Sequence, residues 1–585
     1  MTALKLLRLL PFSLLGILAS PTALAKVAKP AAAKPAEPTT HKTDEGFTTL
    51  SPREIFKRSI SDSSGDIFFL TERYNFLQEP ANFDPKTFHA SHVSAKAGDK
   101  TSPAIIPAHP DITHGYAWDY DLRVPIAFYD PSGQWFKRGT FSQLAVQQDI
   151  APTLADVLGI APPDRAEGRV LAEARVKPSD KKPKLLVLIV QDQMGWQYYD
   201  AHPSRLPYLR SIFRKSALFT NGQVAQVDVE TAPGHAAIGT GAYPRGHTIS
   251  ANNRWQTGLW ASHAVYSTKF SESAHSDEFP LQLGAATLAD VWLQSQNNQP
   301  EVFSMCAAAR ASVSLGGHGS MFGQNKKTSV IYFEEKGEHA GNFVVDPANY
   351  RLPEAVAGKS VLPYGEKLLD ENGGTWFGNT LKDKNGKLST TALRATPAMV
   401  RFEHDLVNGA VSELKLGQHG VTDLLFLNFK SSDYCGHQYG YESDECAQVL
   451  DAIDAALADI ITKLEKVTGG ELVVAVTADH GAPPLPELSG GVRFDRAKLQ
   501  ADLNAKFSEP DSRIQVVPFI GASQLWLNRK ELKRRGFSIA DVTAYLKDYE
   551  VPMTAPWNML ADQWKAKGKP AKVKFFRDVV SRDEL

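Results

Sequence analysis

The sequence has little net charge, few cysteines and few long apolar runs. Its 64 Lys and Arg residues nearly balance 65 Asp and Glu residues, so the formal net charge is −1 and no overall field favours nucleic acid or an acidic membrane. An anionic substrate must therefore meet local cations or metal ions. The 585 residues, 43% of them hydrophobic, are ample for a large soluble core.

The three cysteines, Cys306, Cys435 and Cys446, do not resemble a cysteine-rich metal site. Cys435 and Cys446 lie closest in sequence and could form one disulfide in an exported protein. Free buried thiols are the alternative.

One apolar run stands apart at the N terminus. Residues 1–25 carry Lys5 and Arg8, an apolar stretch over 9–18, and a small-x-small ending at 23–25. This is the pattern of a cleaved signal peptide, with an uncleaved anchor as the alternative. Residues 26–45, rich in Ala, Pro and Lys, are predicted to form a disordered linker. No later segment is apolar for long enough to span a bilayer, so we expect an exported protein, periplasmic or secreted, with no stable membrane span after cleavage.

Short apolar strands alternate with helices along the rest of the chain. Buried-type strands are predicted at 65–71, 124–129, 184–191, 423–429 and 471–477, and helices at 149–159 and 447–464. This alternation predicts an α/β fold with a doubly wound, mostly parallel sheet sandwiched by helices. Residues at about 250–420 show no long clean periodicity, and we expect an inserted cap region there.

Acidic and imidazole side chains follow three of these strands. In chain order they are Asp192, Asp433, His437, Asp479 and His480. Open α/β sheets place their chemistry at the carboxyl ends of strands. Carboxylates and neutral imidazoles are ligands that zinc accepts, and two zinc sites a few ångströms apart suit displacement at phosphorus. His114, in Thr113-His114-Gly115, is a candidate sixth ligand.

Thr231 marks a predicted helix start within Glu230-Thr231-Ala232-Pro233-Gly234-His235. Proline is tolerated in the first turn of a helix. A hydroxyl at this position faces unpaired backbone N–H groups and the positive end of the helix dipole, which favours an anion such as phosphate. Taken alone, a threonine here is more often a simple cap.

Together these motifs resemble the alkaline phosphatase superfamily, in its type I phosphodiesterase/nucleotide pyrophosphatase branch, and in particular bacterial alkaline phosphatases with a threonine nucleophile. The matching segments are 190–194, 231–235, 433–437 and 477–481. The resemblance implies two zinc ions and a phospho-threonine intermediate on Thr231. One zinc would be held by Asp192, Thr231, Asp479 and His480. The other would be held by Asp433, His437 and one further histidine.

That further histidine lies, in the family, after the Asp-His-Gly motif and within a Thr-His-Gly segment. This sequence has no histidine after His480, and its Thr113-His114-Gly115 stands at the front instead. The resemblance therefore implies a circular permutation that returns His114 to the second zinc site. Residues 46–175 would be the family's C-terminal portion, 176–183 a connector between the old ends, and 184–585 the main catalytic portion.

The resemblance also implies two phosphoryl-binding residues. Asn252 matches an asparagine of the family, although Asn253 is one position away. Arg310 matches the arginine of a Lys-x-Arg pair whose lysine is replaced here by Ala308, so the site lacks one positive charge.

We expect a phosphomonoesterase that acts on a small-molecule phosphate ester. The alternatives are a phosphodiesterase or nucleotide pyrophosphatase, and an inactive metal- or phosphate-binding relative. A sulfatase is disfavoured because the nucleophile motif contains no cysteine or serine.

Overall fold

The computed structural model describes residues 40–42, 48–78, 88–93, 102–107, 112–176, 181–255, 262–264, 282–322, 328–485, 489–554 and 561–585. The predicted signal peptide and nearly all of the predicted linker lie outside these residues. Thr40–Lys42, inside the predicted linker, pairs antiparallel with Thr48–Leu50. The prediction of disorder is therefore wrong for these three residues, because even a polar segment can pair its backbone with a neighbouring strand.

The strands of the described residues are, in chain order, β1 (Thr40–Lys42), β2 (Thr48–Leu50), β3 (Ile67–Thr71), β4 (Phe76–Gln78), β5 (Phe88–Val93), β6 (Ser102–Pro107), β7 (Ile126–Tyr129), β8 (Gly139–Phe141), β9 (Ala145–Val146), β10 (Leu185–Val190), β11 (Ala217–Phe219), β12 (Gly222–Gln223), β13 (Asn253–Trp255), β14 (Ser262–Ala264), β15 (Val302–Cys306), β16 (Thr328–Phe333), β17 (Phe343–Val344), β18 (Asp423–Asn428), β19 (Leu472–Thr477), β20 (Arg493–Asp495), β21 (Phe519–Ile520), β22 (Gln524–Trp526), β23 (Glu550–Pro552), β24 (Lys572–Lys574) and β25 (Phe576–Ser581).

The helices are α1 (Pro52–Ser59), α2 (Asp119–Leu122), α3 (Ile150–Leu158), α4 (Trp196–Ala201), α5 (Pro207–Lys215), α6 (Thr231–Thr240), α7 (Pro244–His247), α8 (Leu288–Ser295), α9 (Ala309–Gly316), α10 (Leu362–Glu371), α11 (Thr390–Leu393), α12 (Pro397–Glu413), α13 (Ser431–Tyr439), α14 (Asp444–Thr468), α15 (Arg496–Phe507), α16 (Arg529–Arg534), α17 (Ile539–Lys547) and α18 (Ala561–Ala566).

A nine-stranded sheet forms the centre of the fold, in the order β17-β16-β15-β18-β10-β19-β7-β11-β8. Five adjacent strands, from β16 to β19, run parallel to one another, whereas β17 runs antiparallel to β16 and β7 runs antiparallel to both β19 and β11. Every residue of β10, β18 and β19 is buried, which explains their continuous apolar sequences. The α/β class and the mostly parallel sheet are thus confirmed.

Helices pack in two separate groups against this sheet. One group contains α3, α6, α8 and α9, and the other contains α5, α10, α12, α13 and α14. Of the predicted helices, α3 ends where expected, at Gly159, whose φ of 66° supplies the left-handed C-cap. The helix predicted at 447–464 is longer at both ends, as α14, because Ser443 caps its start and Gly469 ends it.

The region at about 250–420 is not simply a cap. It contributes β15, β16 and β17 to the central sheet, and β15 pairs directly with β18. The prediction of one inserted cap is wrong for these strands. They are only two to six residues long and lie between loops rich in glycine and asparagine, so their apolar runs were too short to stand out.

The three cysteines are buried free thiols. Of the two alternatives that the sequence leaves open, the structure therefore contains the free-thiol form.

The front segment is part of the same architecture. Its strand β7 belongs to the central sheet, and its strand β3 lies in a four-stranded sheet between β22 and the last strand of the chain, β25. Both neighbours run antiparallel to β3. Residues 112–118, which carry His114, lie between β3 and β7 in the sequence.

Candidate active site

The carboxyl ends of β18, β10 and β19 lie side by side, because these three strands are neighbours in the sheet. Asp192 follows β10 by two residues and Asp479 follows β19 by two. Asp433 and His437 do not lie at the strand end itself; they occupy the first and second turns of α13, the helix that follows β18. At a spacing of i, i+4 their side chains fall on one face of that helix.

The predicted metal ligands meet in three overlapping groups, within each of which the ligand atoms lie no more than 4.8 Å apart. The groups are His114, Asp433 and His437; Asp192, Asp433 and His480; and Asp192, His235 and Asp479. All six predicted aspartate and histidine ligands are thus brought together, and His235 joins them. His235 lies four residues after Thr231, one helical turn along α6, which is the signal by which the sequence could have pointed to it.

His114 reaches the site from the front segment. Its Nε2 lies 3.6 Å from Asp433 Oδ1, and the Nε2 of His437 lies 3.2 Å from the same oxygen. The His114 ring stacks on the His480 ring with centroids 3.7 Å apart. The segment is tied to α13 by the backbone N–H of Ile112, which donates to the His437 carbonyl at 3.0 Å.

Each of these three imidazoles has Nδ1 bound to a backbone carbonyl. His114 Nδ1 lies 2.7 Å from Val229 O, His480 Nδ1 lies 2.9 Å from Gly481 O, and His437 Nδ1 contacts Ile112 O. When Nδ1 carries the proton and donates it to a carbonyl, Nε2 keeps its lone pair for a metal ion. Burial, followed by the neighbouring His114, holds the pKa of His480 well below its usual value and so favours the neutral ring.

Thr231 is the first residue of α6, and the N-cap position belongs to Glu230. Thr231 is therefore not itself the cap residue, which leaves its hydroxyl for the site. Its Oγ1 accepts a hydrogen bond of 3.0 Å from the ammonium of Lys430. Gly234 allows the close packing of α6 on Asp479, since a Cβ at this position would lie 2.7 Å from the Asp479 carbonyl oxygen.

Lys430 is a site residue that the sequence reasoning missed. It is 1% exposed, and its Nζ lies 2.8 Å from Asp192 Oδ1 and 2.7 Å from Asp433 Oδ2. Burial alone lowers the pKa of Lys430, but Asp192 and Asp433 outweigh burial and raise it above the ordinary value, so the amine is protonated. Burial likewise raises the pKa of Asp433, but Lys430 and then His437 outweigh it and hold that carboxyl ionised.

Gln193 and Asn428 are two further residues that motif reasoning did not select. Gln193 Nε2 donates to Asp433 Oδ1 and its backbone N–H donates to Asp479 Oδ1, each at 3.0 Å, so this residue joins two of the carboxylates. Its φ of 66° is unusual for a residue with a side chain. Asn428 Nδ2 lies 3.0 Å from Asp192 Oδ2 and 2.6 Å from His235 Nε2.

Asn252 lies beside the start of α6. Its Oδ1 accepts a 2.9 Å hydrogen bond from the N–H of Ala232, and its own N–H donates to Glu230 at 2.6 Å. Asn253, the competing position, is exposed in β13. The structure therefore places Asn252, and not Asn253, next to Thr231.

Arg310 lies in the first turn of α9, and Ala308 is the N-cap residue of that helix. Ala308 packs with Cys306 and Ala311 in a small buried cluster. Arg310 is close enough to Lys430 and Tyr434 for its charge to lower the pKa of each, although burial is the largest influence on both.

The donor set fits zinc. Asp479 Oδ2 and His480 Nε2 are buried and have no hydrogen-bond partner among the described residues. These two atoms lie 3.3 Å apart. Buried polar atoms are normally satisfied, and a carboxylate oxygen and an imidazole nitrogen that face each other in this way are ligand types that zinc accepts.

Residues 186–568 match the family model described as type I phosphodiesterase/nucleotide pyrophosphatase. The chain belongs to this family of phosphoric ester hydrolases. The family match begins one residue into β10 and includes all of the site except His114.

Proteins named as alkaline phosphatases are among those to which this chain is similar. Alkaline phosphatase PafA of Elizabethkingia meningoseptica is 25% identical over 405 residues, which cover 62% of this chain and 72% of that protein. Alkaline phosphatase PhoD of Zymomonas mobilis is 26% identical over 56% of this chain and 57% of that protein. For alkaline phosphatase PhoK of Sphingomonas sp the values are 26%, 56% and 61%. The match therefore spans well under two thirds of the length of some of these relatives.

A crystal structure of wild-type PafA also resembles this chain, with a TM-score of 0.47, 20% identity, and coverage of 69% of this chain and 86% of that one.

Among the described residues, none of the helices is both long enough and apolar enough to cross a bilayer.

Proposed function

We propose that this family member is an exported, zinc-dependent phosphomonoesterase, an alkaline phosphatase, that works through a phospho-threonine at Thr231. The observation that carries the proposal is the position of one hydroxyl. Thr231 Oγ1 lies at the start of α6, and Lys430, its hydrogen-bond partner, also binds Asp192 and Asp433. Those two aspartates share one of the metal-ligand groups, with His480, and each also belongs to a second group.

We assign the ligands as the family resemblance implies. Asp192, Thr231, Asp479 and His480 would hold one zinc ion, and His114, Asp433 and His437 would hold the other. Zinc bound there would supply Lewis acidity and lower the pKa of groups bound to it. The tied Nδ1 atoms and Gln193 would orient these ligands before any substrate arrives.

The residues of the chain would carry the reaction in two displacements. Thr231 Oγ1 forms a bond to phosphorus while the bond from phosphorus to the leaving oxygen breaks, and the hydroxyl proton is released to solvent. Asn252 and Arg310 donate hydrogen bonds to the non-bridging oxygens, which carry the charge in the transition state. Water then attacks phosphorus and breaks the Oγ1–P bond, which regenerates the Thr231 hydroxyl and releases inorganic phosphate.

Phosphodiester hydrolysis is the second candidate, and Ala308 is the observation that favours it. A monoester presents a dianionic phosphoryl group, whereas the group transferred from a diester carries less charge, so a missing lysine penalises the monoester more. The names of the relatives favour the monoester.

We also propose the circular permutation. The family match starts at residue 186, which leaves the front segment outside it. In the unpermuted order β25 would precede β3, and the two strands pair antiparallel with Ser581 opposite Ile67. The N–H of Arg582 donates to Asp66 O at 2.9 Å. Ser581 and Arg582 therefore lie beside the start of β3, so a short loop would suffice to join β25 to β3 in the unpermuted order.

The test is the ratio of kcat/KM for p-nitrophenyl phosphate to kcat/KM for bis-p-nitrophenyl phosphate, measured with zinc supplied and after chelation. We expect a ratio well above one and a loss of both activities on chelation. Thr231→Ala is the nucleophile control. A ratio well below one would make the protein a diesterase, and no turnover of either ester by zinc-bound protein would overturn the enzymatic proposal.

A further inference from the structure

Lys430 lies where it can supply the positive charge that is lost when the lysine of the family's Lys-x-Arg pair is replaced by Ala308. An ammonium group has three N–H donors, and here they face three oxygens: Asp192 Oδ1 at 2.8 Å, Asp433 Oδ2 at 2.7 Å and Thr231 Oγ1 at 3.0 Å. The first two pair the lysine with buried carboxylates. The third aims it at the atom that would carry the phosphoryl group.

Lys430 and Ala308 approach the same space from different elements. Lys430 lies in the turn between β18 and α13, and Ala308 lies in the turn between β15 and α9. These turns adjoin because β15 and β18 pair directly. The N–H of Ala308 donates to Cys306 Sγ at 3.3 Å. Burial is the main cause of the raised pKa of that thiol, and Asp192 and Lys430 are the next two influences on it.

We propose that Lys430 is a phosphoryl-binding residue that takes over, from the adjoining turn, the role of the lysine replaced by Ala308. This inference rests on the proposed function. The site then holds as many side-chain cations as a Lys-x-Arg pair provides, namely Arg310 and Lys430, and keeps the charge that a dianionic phosphoryl group requires. The donor that faces Thr231 Oγ1 would turn to an oxygen of the phosphoryl group bonded there.

The buried position makes this cation effective. Lys430 is 1% exposed, and Tyr434 closes it from one side, with Nζ 5.3 Å from the ring centroid. A charge shielded from water in this way interacts with a phosphoryl oxygen more strongly than a surface lysine does. The rival role for Lys430 is to occupy the place of a metal ion between Asp192 and Asp433.

The experiment measures binding as well as turnover. Lys430→Met removes the charge at similar length, and Lys430→Gln keeps a hydrogen-bond donor for the carboxylates. Lys463→Met is the matched control, because Lys463 is an exposed lysine of α14 that pairs only with Asp459 among the described residues. Each variant is also made with Ala308→Lys. The affinity for inorganic phosphate is measured by titration calorimetry on zinc-equilibrated protein, and the zinc content by mass spectrometry.

We expect both neutral variants to bind phosphate about 10- to 100-fold more weakly, which is about 1.4 to 2.8 kcal/mol, with zinc content unchanged. The kcat/KM for p-nitrophenyl phosphate should fall by a similar factor, and that for the diester by about fivefold or less. Adding Ala308→Lys to either neutral variant should raise its affinity for phosphate by at least about tenfold. Lys463→Met should have the phosphate affinity and kcat/KM of the wild type.

Three results would overturn the proposal. They are an unchanged phosphate affinity, a rise in bound zinc on removal of the lysine, and failure of all the neutral and double variants to fold, which would make Lys430 a structural cation. Phosphate binding that depends on Lys430 in a protein that hydrolyses neither ester would instead support Lys430 and refute the proposed function.

Discussion

Replacing His114 tests whether the front segment completes the metal centre. His114→Gln removes an imidazole whose Nε2 lies 3.6 Å from Asp433 Oδ1 and leaves Asp433 and His437 as the remaining donors of their group. Loss of an outer-shell partner alone costs 10–100-fold in metal affinity, so loss of a ligand should weaken binding at this site by at least about 100-fold. We expect about one zinc per chain to be lost at limiting zinc, and kcat/KM to fall by at least about 100-fold.

The matched control is His318→Gln. His318 is buried to the same degree as His114, at 6% against 5% exposed, and it bonds a backbone carbonyl, that of Leu283, at 2.9 Å and the Asp290 carboxylate at 2.7 Å. Both substitutions disturb buried hydrogen bonds, each worth about 1–3 kcal/mol when one partner is left unsatisfied. Both should therefore lower the unfolding temperature, but only His114→Gln should release zinc.

The assay is metal analysis by mass spectrometry after dialysis against a weak chelator, with thermal unfolding recorded on the same samples. If His114→Gln keeps the zinc content and kcat/KM of the wild type, His114 is not a ligand and the permutation loses its functional support.

Three further predictions concern packing, a buried charge and buried thiols. Gly436→Ala should cost about 1–3 kcal/mol of stability and weaken zinc binding, because the new Cβ would lie 1.9 Å from Gln193 Oε1. The control is Gly420→Ala, because position 420 has open space around it. Equal unfolding temperatures for the two variants would contradict the predicted clash. Glu403 is fully buried with neither carboxylate oxygen partnered among the described residues, and burial raises its pKa well above the usual value. The folded state therefore keeps this proton to higher pH than the unfolded state does, and stability falls as the pH rises above about 4.3. The difference in unfolding temperature between Glu403→Gln and the wild type should therefore be more favourable to the variant at pH 8 than at pH 5. An equal difference at both pH values would refute the conclusion that Glu403 is buried in its neutral form. Because Cys435 and Cys446 are buried thiols, iodoacetamide should modify them only after unfolding, and a mass deficit of two hydrogens in the native chain would show a disulfide instead.

The predictable parts of the site are those in which a buried strand runs directly into a donor. The apolar runs before Asp192 and Asp479 each predict a buried strand and also show where it ends. The sequence therefore predicts both the strands of the parallel sheet and the metal ligands that follow them. His114 was reachable only through the family's Thr-His-Gly segment, because nothing in its own surroundings distinguishes it from a loop histidine.

Lys430 and Gln193 could not be found in this way. Each lies in a strand-to-helix turn where polar residues are ordinary, and their roles depend on three-dimensional neighbours. Gln193 acts through an unusual backbone conformation, which no pattern of residue types encodes. The strands of the 250–420 region were missed for a different reason: they are short, and only their pairing with β18 and with one another makes them part of the sheet.

The most direct test of the proposed function is to trap the covalent intermediate. Zinc-loaded protein is mixed with p-nitrophenyl phosphate, quenched in acid within the first turnover, and digested for peptide mass spectrometry. The proposal predicts one added phosphoryl group on the peptide that contains Thr231, its disappearance when turnover is allowed to finish, and its absence in Thr231→Ala. A phosphoryl group on any other residue, or turnover by Thr231→Ala at the wild-type rate, would contradict it.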